Sequence, residues 1–429
     1  MPALLKHRWW RGPCLLGLAL TLLSSPAWSE PAATGTLRLR VVIMRHGVRA
    51  PTSSPSELAP FATQPWAAWP VAPGMLTPHG VQGMTALGSR YRKLLGDAGL
   101  WSGHCDSLDQ VVVIADSTPR NRASGAALSK GLAPACKSHY LALAPDQSNP
   151  LFHFGEKDGG KDDEATTAST PSAWPPLALA ELQEVLLGCR GDKCAENAKA
   201  SGHKLLIDPS HPDNDAARAK ALKSAGSLSE NLMLEYAQGF PQARVAWGHG
   251  DAATIGRLIT LHNLQFALSK KSMPAAAQAG SNLVAHVLAT LQQTAGVAPV
   301  VAPLAGKQAK VVLLVGHDTN LANVAGVLGV DWHDERQPDD YPPGGALVFD
   351  LLEAHGQYAM RVSSLMPTLE ALRHADFGSE EALVEHPLSL PPCPHEPTCP
   401  LTKVSEWLGS RLDPQRIEPR MPALPANAP

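Results

Sequence analysis

The run Val41-Val42-Ile43-Met44 ends abruptly in Arg45-His46-Gly47-Val48-Arg49-Ala50-Pro51. A short run of large apolar residues bounded by polarity predicts a strand over 37–44, buried in a sheet covered on both faces. Residues just past such a strand occupy its carboxyl end, where open α/β sheets bind ligands. Gly47 lets the backbone turn there, and Pro51 stops it from continuing regularly. Two guanidinium groups beside one imidazole suit an anion with several oxygens, and phosphate best. A basic surface loop is the competing reading of this stretch alone.

Two further apolar runs end in the same way. Gln110-Val111-Val112-Val113-Ile114-Ala115-Asp116 predicts a second strand, followed by Ser117-Thr118-Pro119-Arg120-Asn121-Arg122 and a helix of small residues over 123–132. Arg120 or Arg122 is then delivered at a strand end, or is only a charge at a helix start. Lys310-Val311-Val312-Leu313-Leu314-Val315 predicts a third strand, with a turn at Gly316 and His317-Asp318 opening a helix to Leu328. Backbone N–H groups at that helix start favour negative charge. His317-Asp318 read as a metal pair is a poor fit, because adjacent side chains do not readily chelate one ion. Parallel pairing of the three strands would gather Arg45, His46, Arg49, Arg120, His317 and Asp318. That set holds cations for a phosphate dianion, a histidine able to act as nucleophile, and a carboxyl able to act as acid.

The rest of the chain supplies covering elements. Residues 51–80 carry seven prolines among Trp66 and Trp69, which excludes a long helix and predicts an ordered loop near the site. Thr77-Pro78 caps a helix running on through Leu94-Leu95. Residues 155–176 are a low-complexity loop. Apolar spacing predicts helices over 177–187 and, as one or two pieces, over 216–236, so 155–240 reads as a small α-helical insertion. Val245-Ala246-Trp247 is a short apolar stretch, and His249 either lines a pocket or sits in a solvated loop. Asp251 caps a helix containing Ile255, Leu258, Ile259 and Leu261, and another helix is expected over 282–291. Strands over 346–352 and 357–365 about the turn His355-Gly356 form a hairpin, so antiparallel strands are expected at one sheet edge. The Pro- and Ala-rich tail, within 416–429, is expected to be disordered.

The first residues read as a processing segment. Lys6, Arg8 and Arg11 precede the apolar stretch from Cys14 to Leu23, and Ala27-Trp28-Ser29 is a small-x-small cleavage site. The expected layout is a signal peptide over 1–29, a core over 30–154 and 241–415, the insertion between them, and the tail. Of seven cysteines, six remain after cleavage. An even number in an exported chain implies disulfides, although sequence alone does not fix the pairing. Cys189/Cys194 and Cys393/Cys399 are spaced to close small loops, which leaves Cys105 with Cys136. The formal net charge of −3 gives no basic field for nucleic acid.

Arg45-His46-Gly47-Val48-Arg49-Ala50-Pro51 matches the RHGxRxP signature of the histidine acid phosphatases, and Gly316-His317-Asp318 matches their downstream His-Asp motif. Over roughly residues 36–410 the chain resembles that family, most of all its bacterial periplasmic phytases and glucose-1-phosphatases. The Cys105/Cys136 spacing and Gly344-Gly345 before a strand also fit. The resemblance implies an α/β fold: a mixed, mostly parallel sheet flanked by helices, phosphoglycerate-mutase-like, with a small α-helical insertion domain. It implies hydrolysis of a small-molecule phosphomonoester through a phosphohistidine. His46 is then the nucleophile and Asp318 the proton donor, with Arg45, Arg49, Arg120 and His317 binding phosphate. Thr52 and Ser53 would line the substrate pocket. No metal and no other cofactor is implied, and a periplasmic monomer without nucleic-acid or membrane partners is expected. Phytate is the expected substrate, with glucose 1-phosphate or a broad range as alternatives. Two departures bear on that choice. Ser53 stands where such phytases often carry lysine, and one of their cysteine pairs is absent. A non-catalytic binding protein is a remote alternative, since both His46 and Asp318 are present. The cytosolic mutase branch fits poorly with an export signal.

Overall fold

The computed structural model describes residues 35–153, 173–207 and 214–429. The expected signal peptide and most of the 155–176 stretch lie outside the described residues. In chain order, β1 (Thr36–Arg45) leads through the short α1 (Pro55–Leu58) to α2 (Pro78–Asp97). β2 (Val111–Ala115) feeds α3 (Pro119–Leu132), and the two-residue β3 (Tyr140–Leu141) follows. Next come α4 (Leu177–Leu187), α5 (Asp192–Ser201), α6 (Asp215–Ala237), α7 (Ala252–Phe266) and α8 (Ala275–Thr294). β4 (Val311–Gly316) feeds α9 (Asp318–Leu328), and the hairpin β5 (Ala346–Ala354) and β6 (Gln357–Pro367) leads to α10 (Leu369–His374). β7 (Leu383–Leu388), β8 (Cys399–Pro400), α11 (Leu401–Gly409) and β9 (Ala426–Asn427) complete the chain.

The sheet order is β7-β6-β5-β1-β4-β2-β3-β9, with β8 also on β6. β1, β4, β2 and β3 run parallel at its centre. Antiparallel strands flank them on both sides, β5 to β7 on one and β9 on the other. Register matters most for the site. Met44 and Ala115 both pair with Val315, and Arg45 pairs with Gly316. The residues after β1, β2 and β4 therefore emerge level, in one row.

Side chains alternate across the sheet, and both faces are covered. Val42, Met44, Val113, Leu313 and Val315 join one apolar cluster with α2, α3, α4, α6 and α7. Val41, Ile43, Ile114, Val312 and Leu314 join the other, with α8, α9 and α11. All ten are buried, and burying each large aliphatic contributes about 1.5–3 kcal/mol. That double burial is the reason these strands read as continuous apolar runs.

Helices α4 to α6 share the first of these clusters, so their apolar faces continue the core above that face of the sheet. The proline-rich loop is pinned to them. Trp66 meets Trp247 edge to face at 5.1 Å, and Trp69 lies 5.0 Å from Phe240. Both indole N–H groups are used: Trp66 donates to the Leu58 carbonyl and Trp247 to that of Pro65. Cys105–Cys136, Cys189–Cys194 and Cys393–Cys399 are joined, with Cα separations of 5.4, 5.1 and 5.6 Å.

Some details depart from the expectations. Residues 416–429 are not disordered, because β9 pairs with β3 and the Asn427 amide donates to the Ala142 carbonyl. A Pro- and Ala-rich tail needs only these few bonds to dock on an open sheet edge. The stretch 216–236 is a single helix, and the helix expected over 282–291 begins at Ala275. Ala246 and Trp247 form a tight turn in the left-handed region, φ 46° and 54°.

Candidate active site

Each proposed site residue follows a strand end or its helix start. His46 is 1% exposed. Its Nδ1–H donates to the Gly47 carbonyl oxygen at 2.9 Å. A carbonyl can only accept, so the ring proton sits on Nδ1 and Nε2 keeps its lone pair. Burial, and then the charges of Arg120, Arg45 and Arg49, hold the imidazole pKa well below its ordinary value. The ring therefore stays neutral into acid, and a neutral Nε2 can act as a nucleophile. Gly47 admits no side chain, since a Cβ there would lie 2.6 Å from Met84 Cγ. The tight approach of α2 fixes the loop that aims His46.

Arg45 is fully buried. Its Nη1 donates to the Tyr341 carbonyl at 2.6 Å. Its Nη2 meets Glu230, and Asp318 Oδ2 at 2.9 Å. Arg49 Nη2 donates to both Glu230 oxygens, at 2.9 and 3.1 Å. Glu230 comes from α6, and nothing in the strand-end motifs announces it. The available signal is a carboxylate inside a helix half that is otherwise buried, from Leu228 to Ala237. Burial disfavours the Asp318 carboxylate, but Arg45, His262 and Arg49 outweigh this and hold its pKa far below the usual carboxylate range. Beneath it, His262 Nδ1 lies 3.5 Å from Asp339 Oδ1.

Arg120 is the arginine that reaches the site. Its Nη2 donates to His317 Nδ1 at 3.2 Å. Burial and the neighbouring Arg49 lower its pKa to about 10, which leaves it charged in acid. Arg122 points elsewhere, to the Leu143 carbonyl at 2.5 Å and Asn427 at 2.9 Å. His317 Nε2–H donates to Asp116 Oδ2 at 2.9 Å, and the same oxygen lies 3.1 Å from His153 Nε2. Asp116 and His153 are further residues that the motifs did not single out. Thr52 is exposed and Ser53 half-buried, while His249 is exposed.

The row of strand ends thus holds a buried neutral histidine among arginines, an arrangement chemically suited to gripping the oxygens of a phosphate ester. Comparison with known proteins agrees. A model of the histidine phosphatase superfamily (branch 2) matches residues 36–184. Phytase AppA of Escherichia coli is 32% identical over 384 residues, covering 83% of this chain and 86% of that protein. Glucose-1-phosphatase of Salmonella typhimurium is 26% identical over 405 residues, covering 89% and 94%. The structure of Hafnia alvei phytase in complex with myo-inositol hexakis sulphate superposes with a TM-score of 0.77 at 29% identity, covering 90% of this chain and all of that one. The chain belongs to the histidine phosphatase superfamily, branch 2, and is a phosphoric monoester hydrolase of the phytase-like kind.

Proposed function

We propose that this phosphatase works through a phosphohistidine on His46 and that phytate is its principal substrate. His46 Nε2 attacks phosphorus in line. Arg45, Arg49 and Arg120 hold the equatorial oxygens, where transition-state charge must be stabilised, and His317 joins them by taking a second proton on Nδ1 while its Nε2–H stays on Asp116. Asp318 protonates the leaving alkoxide, and water then hydrolyses the phosphohistidine. The observation that carries this reading is the Nδ1–H bond of His46 to Gly47, which leaves Nε2 unprotonated among the arginines.

In the free enzyme Asp318 is ionised against Arg45. Its proton arrives with the substrate. Below about pH 6 a phosphomonoester carries one proton on its phosphoryl group. The bound group also competes for Arg45 and adds negative charge beside Asp318, which raises the affinity of that carboxyl for a proton. Activity on the acidic side of neutral follows, with His46 still neutral there.

Phytate is favoured by the higher identity to a phytase than to a glucose-1-phosphatase. A sugar phosphate is the second reading, favoured by Ser53, which leaves that position without a cation. Residues 155–240 act in this proposal as an insertion that roofs the leaving-group side, with Glu230 of α6 contacting Arg45 and Arg49. A periplasmic monomer completes the proposal. The cationic and apolar N-terminal segment suits export, and the three disulfides suit an oxidising compartment. Among the described residues no helix is long and apolar enough to cross a membrane. Values of kcat/KM at acidic pH for phytate, glucose 1-phosphate and p-nitrophenyl phosphate test the substrate. A higher value for glucose 1-phosphate than for phytate would overturn the phytate assignment.

A further inference from the structure

We propose that Asp116, His153 and His317 form a binding site for a zinc-like divalent cation, and that its occupation inhibits the enzyme by dislodging Arg120. The three ligands come from different parts of the fold. Asp116 follows β2, His317 follows β4, and His153 closes a turn whose backbone N–H groups at 152 and 153 donate to the Asn149 carbonyl. Asp116 Oδ2 lies 2.9 Å from His317 Nε2 and 3.1 Å from His153 Nε2. One ligand atom from each residue lies within 4.8 Å of the others. Donors about 2.0–2.2 Å from a tetrahedral zinc ion are themselves roughly 3.3–3.5 Å apart. The two contacts that meet at Asp116 Oδ2 therefore need to open by only a few tenths of an ångström to admit an ion.

The donor set selects the ion. Two imidazoles and one carboxylate suit borderline cations such as Zn²⁺, whereas Mg²⁺ and Ca²⁺ prefer oxygen ligands. Three protein ligands leave a fourth position open. The His153 side chain, 20% exposed, offers a path from solvent. Outer support exists as well: the Thr118 N–H donates to Asp116 Oδ2 at 3.2 Å, and Asn320 Oδ1 accepts from the His317 backbone N–H at 2.8 Å. Such contacts orient metal ligands.

Inhibition follows from the tautomer. Arg120 Nη2 donates to His317 Nδ1, which requires the ring proton on Nε2. A metal on Nε2 takes that position, and the neutral ring then carries its proton on Nδ1. Nδ1–H and the guanidinium N–H would face each other as two donors, so Arg120 must swing away. This half of the inference rests on the assignment of Arg120 to phosphate binding; the binding half does not.

The test uses the full, untagged, mature protein. Calorimetric titration with ZnCl₂ is combined with turnover of p-nitrophenyl phosphate, a substrate that does not sequester metal as phytate does. One ion per chain should bind. His153→Asn should weaken zinc affinity at least ~10-fold, shift zinc inhibition by the same factor, and leave metal-free turnover within about twofold. Inorganic phosphate and Zn²⁺ should weaken each other's binding reciprocally. Co²⁺ should give the visible absorption of a tetrahedral site in the wild type and not in His153→Asn. Equal zinc affinity and equal cobalt spectra in the two proteins would overturn the site. Zinc bound there without loss of turnover or of phosphate affinity would overturn the inhibitory half and count against Arg120 as a phosphate ligand.

Discussion

The phosphate side of the site and its covering side differ in where their precision comes from. The first is a row of strand ends held level by the register of β1, β4 and β2, with its side chains backed by a sheet buried on both faces. The second is assembled from the proline-rich loop, α6 and the left-handed turn at Ala246-Trp247, held together by indole contacts and single hydrogen bonds. The two meet at Glu230, whose carboxylate contacts both Arg45 and Arg49. The chemistry can therefore be fixed by one half while the choice of substrate is adjusted in the other.

If that division is right, substitutions on the phosphate side should abolish turnover and those on the cover should retune it. His46→Ala should reduce kcat by about 10⁴-fold or more while inorganic phosphate still binds; near-normal steady-state rates would break the comparison at once. Asp318→Asn should lower turnover of alkyl phosphates by about 10²–10⁴-fold and that of p-nitrophenyl phosphate far less. Equal losses on both would remove Asp318 as the proton donor.

On the covering side, Glu235 is buried and accepts from the Ala246 N–H at 2.9 Å. Burial, opposed by that hydrogen bond and by Arg244, pushes its carboxyl up to about 7. An unfolded chain loses this proton near pH 4.3. Between these values the folded state holds the proton and the unfolded state does not, so stability falls as pH rises from about 4.3 to 7, by on the order of 3 kcal/mol. Glu235→Gln should flatten that slope in denaturant melts run at several pH values; an unchanged slope would place the titration elsewhere.

Glu230→Gln removes the charge that pairs with Arg45 and Arg49; if those arginines bind phosphate as proposed, inhibition by inorganic phosphate should tighten about tenfold. Weaker inhibition would mean that Glu230 instead holds the arginines in their productive geometry. The smallest effect is expected at Ser53. Ser53→Lys adds a cation near a substrate with many phosphates, and should raise kcat/KM for phytate a few-fold without changing p-nitrophenyl phosphate. A parallel rise on both substrates would mean that position 53 belongs to the phosphate side.

The same contrast explains what could be read from the sequence. Strands β1, β2 and β4 were legible because burial on both faces makes them apolar throughout, and their sharp polar endings marked the row. Arg120 and Arg122 were not separable, since both open α3. Two residues turn a helix by roughly 200°, so one faces His317 and the other the sheet edge. Glu230 was invisible because it lies 185 positions from Arg45, and only the docking of α6 brings them together. The tail misled because its composition suggests disorder, while two backbone pairings and Asn427 suffice to dock it.

A phosphoryl group on histidine is acid-labile and survives in alkali, so the central claim is best tested by quenching a turning-over sample in alkali and mapping phosphoryl adducts by mass spectrometry. An adduct on His46 is expected, formed within one turnover and absent from His46→Ala. Turnover with no adduct on His46, or with the adduct on another residue, would contradict it.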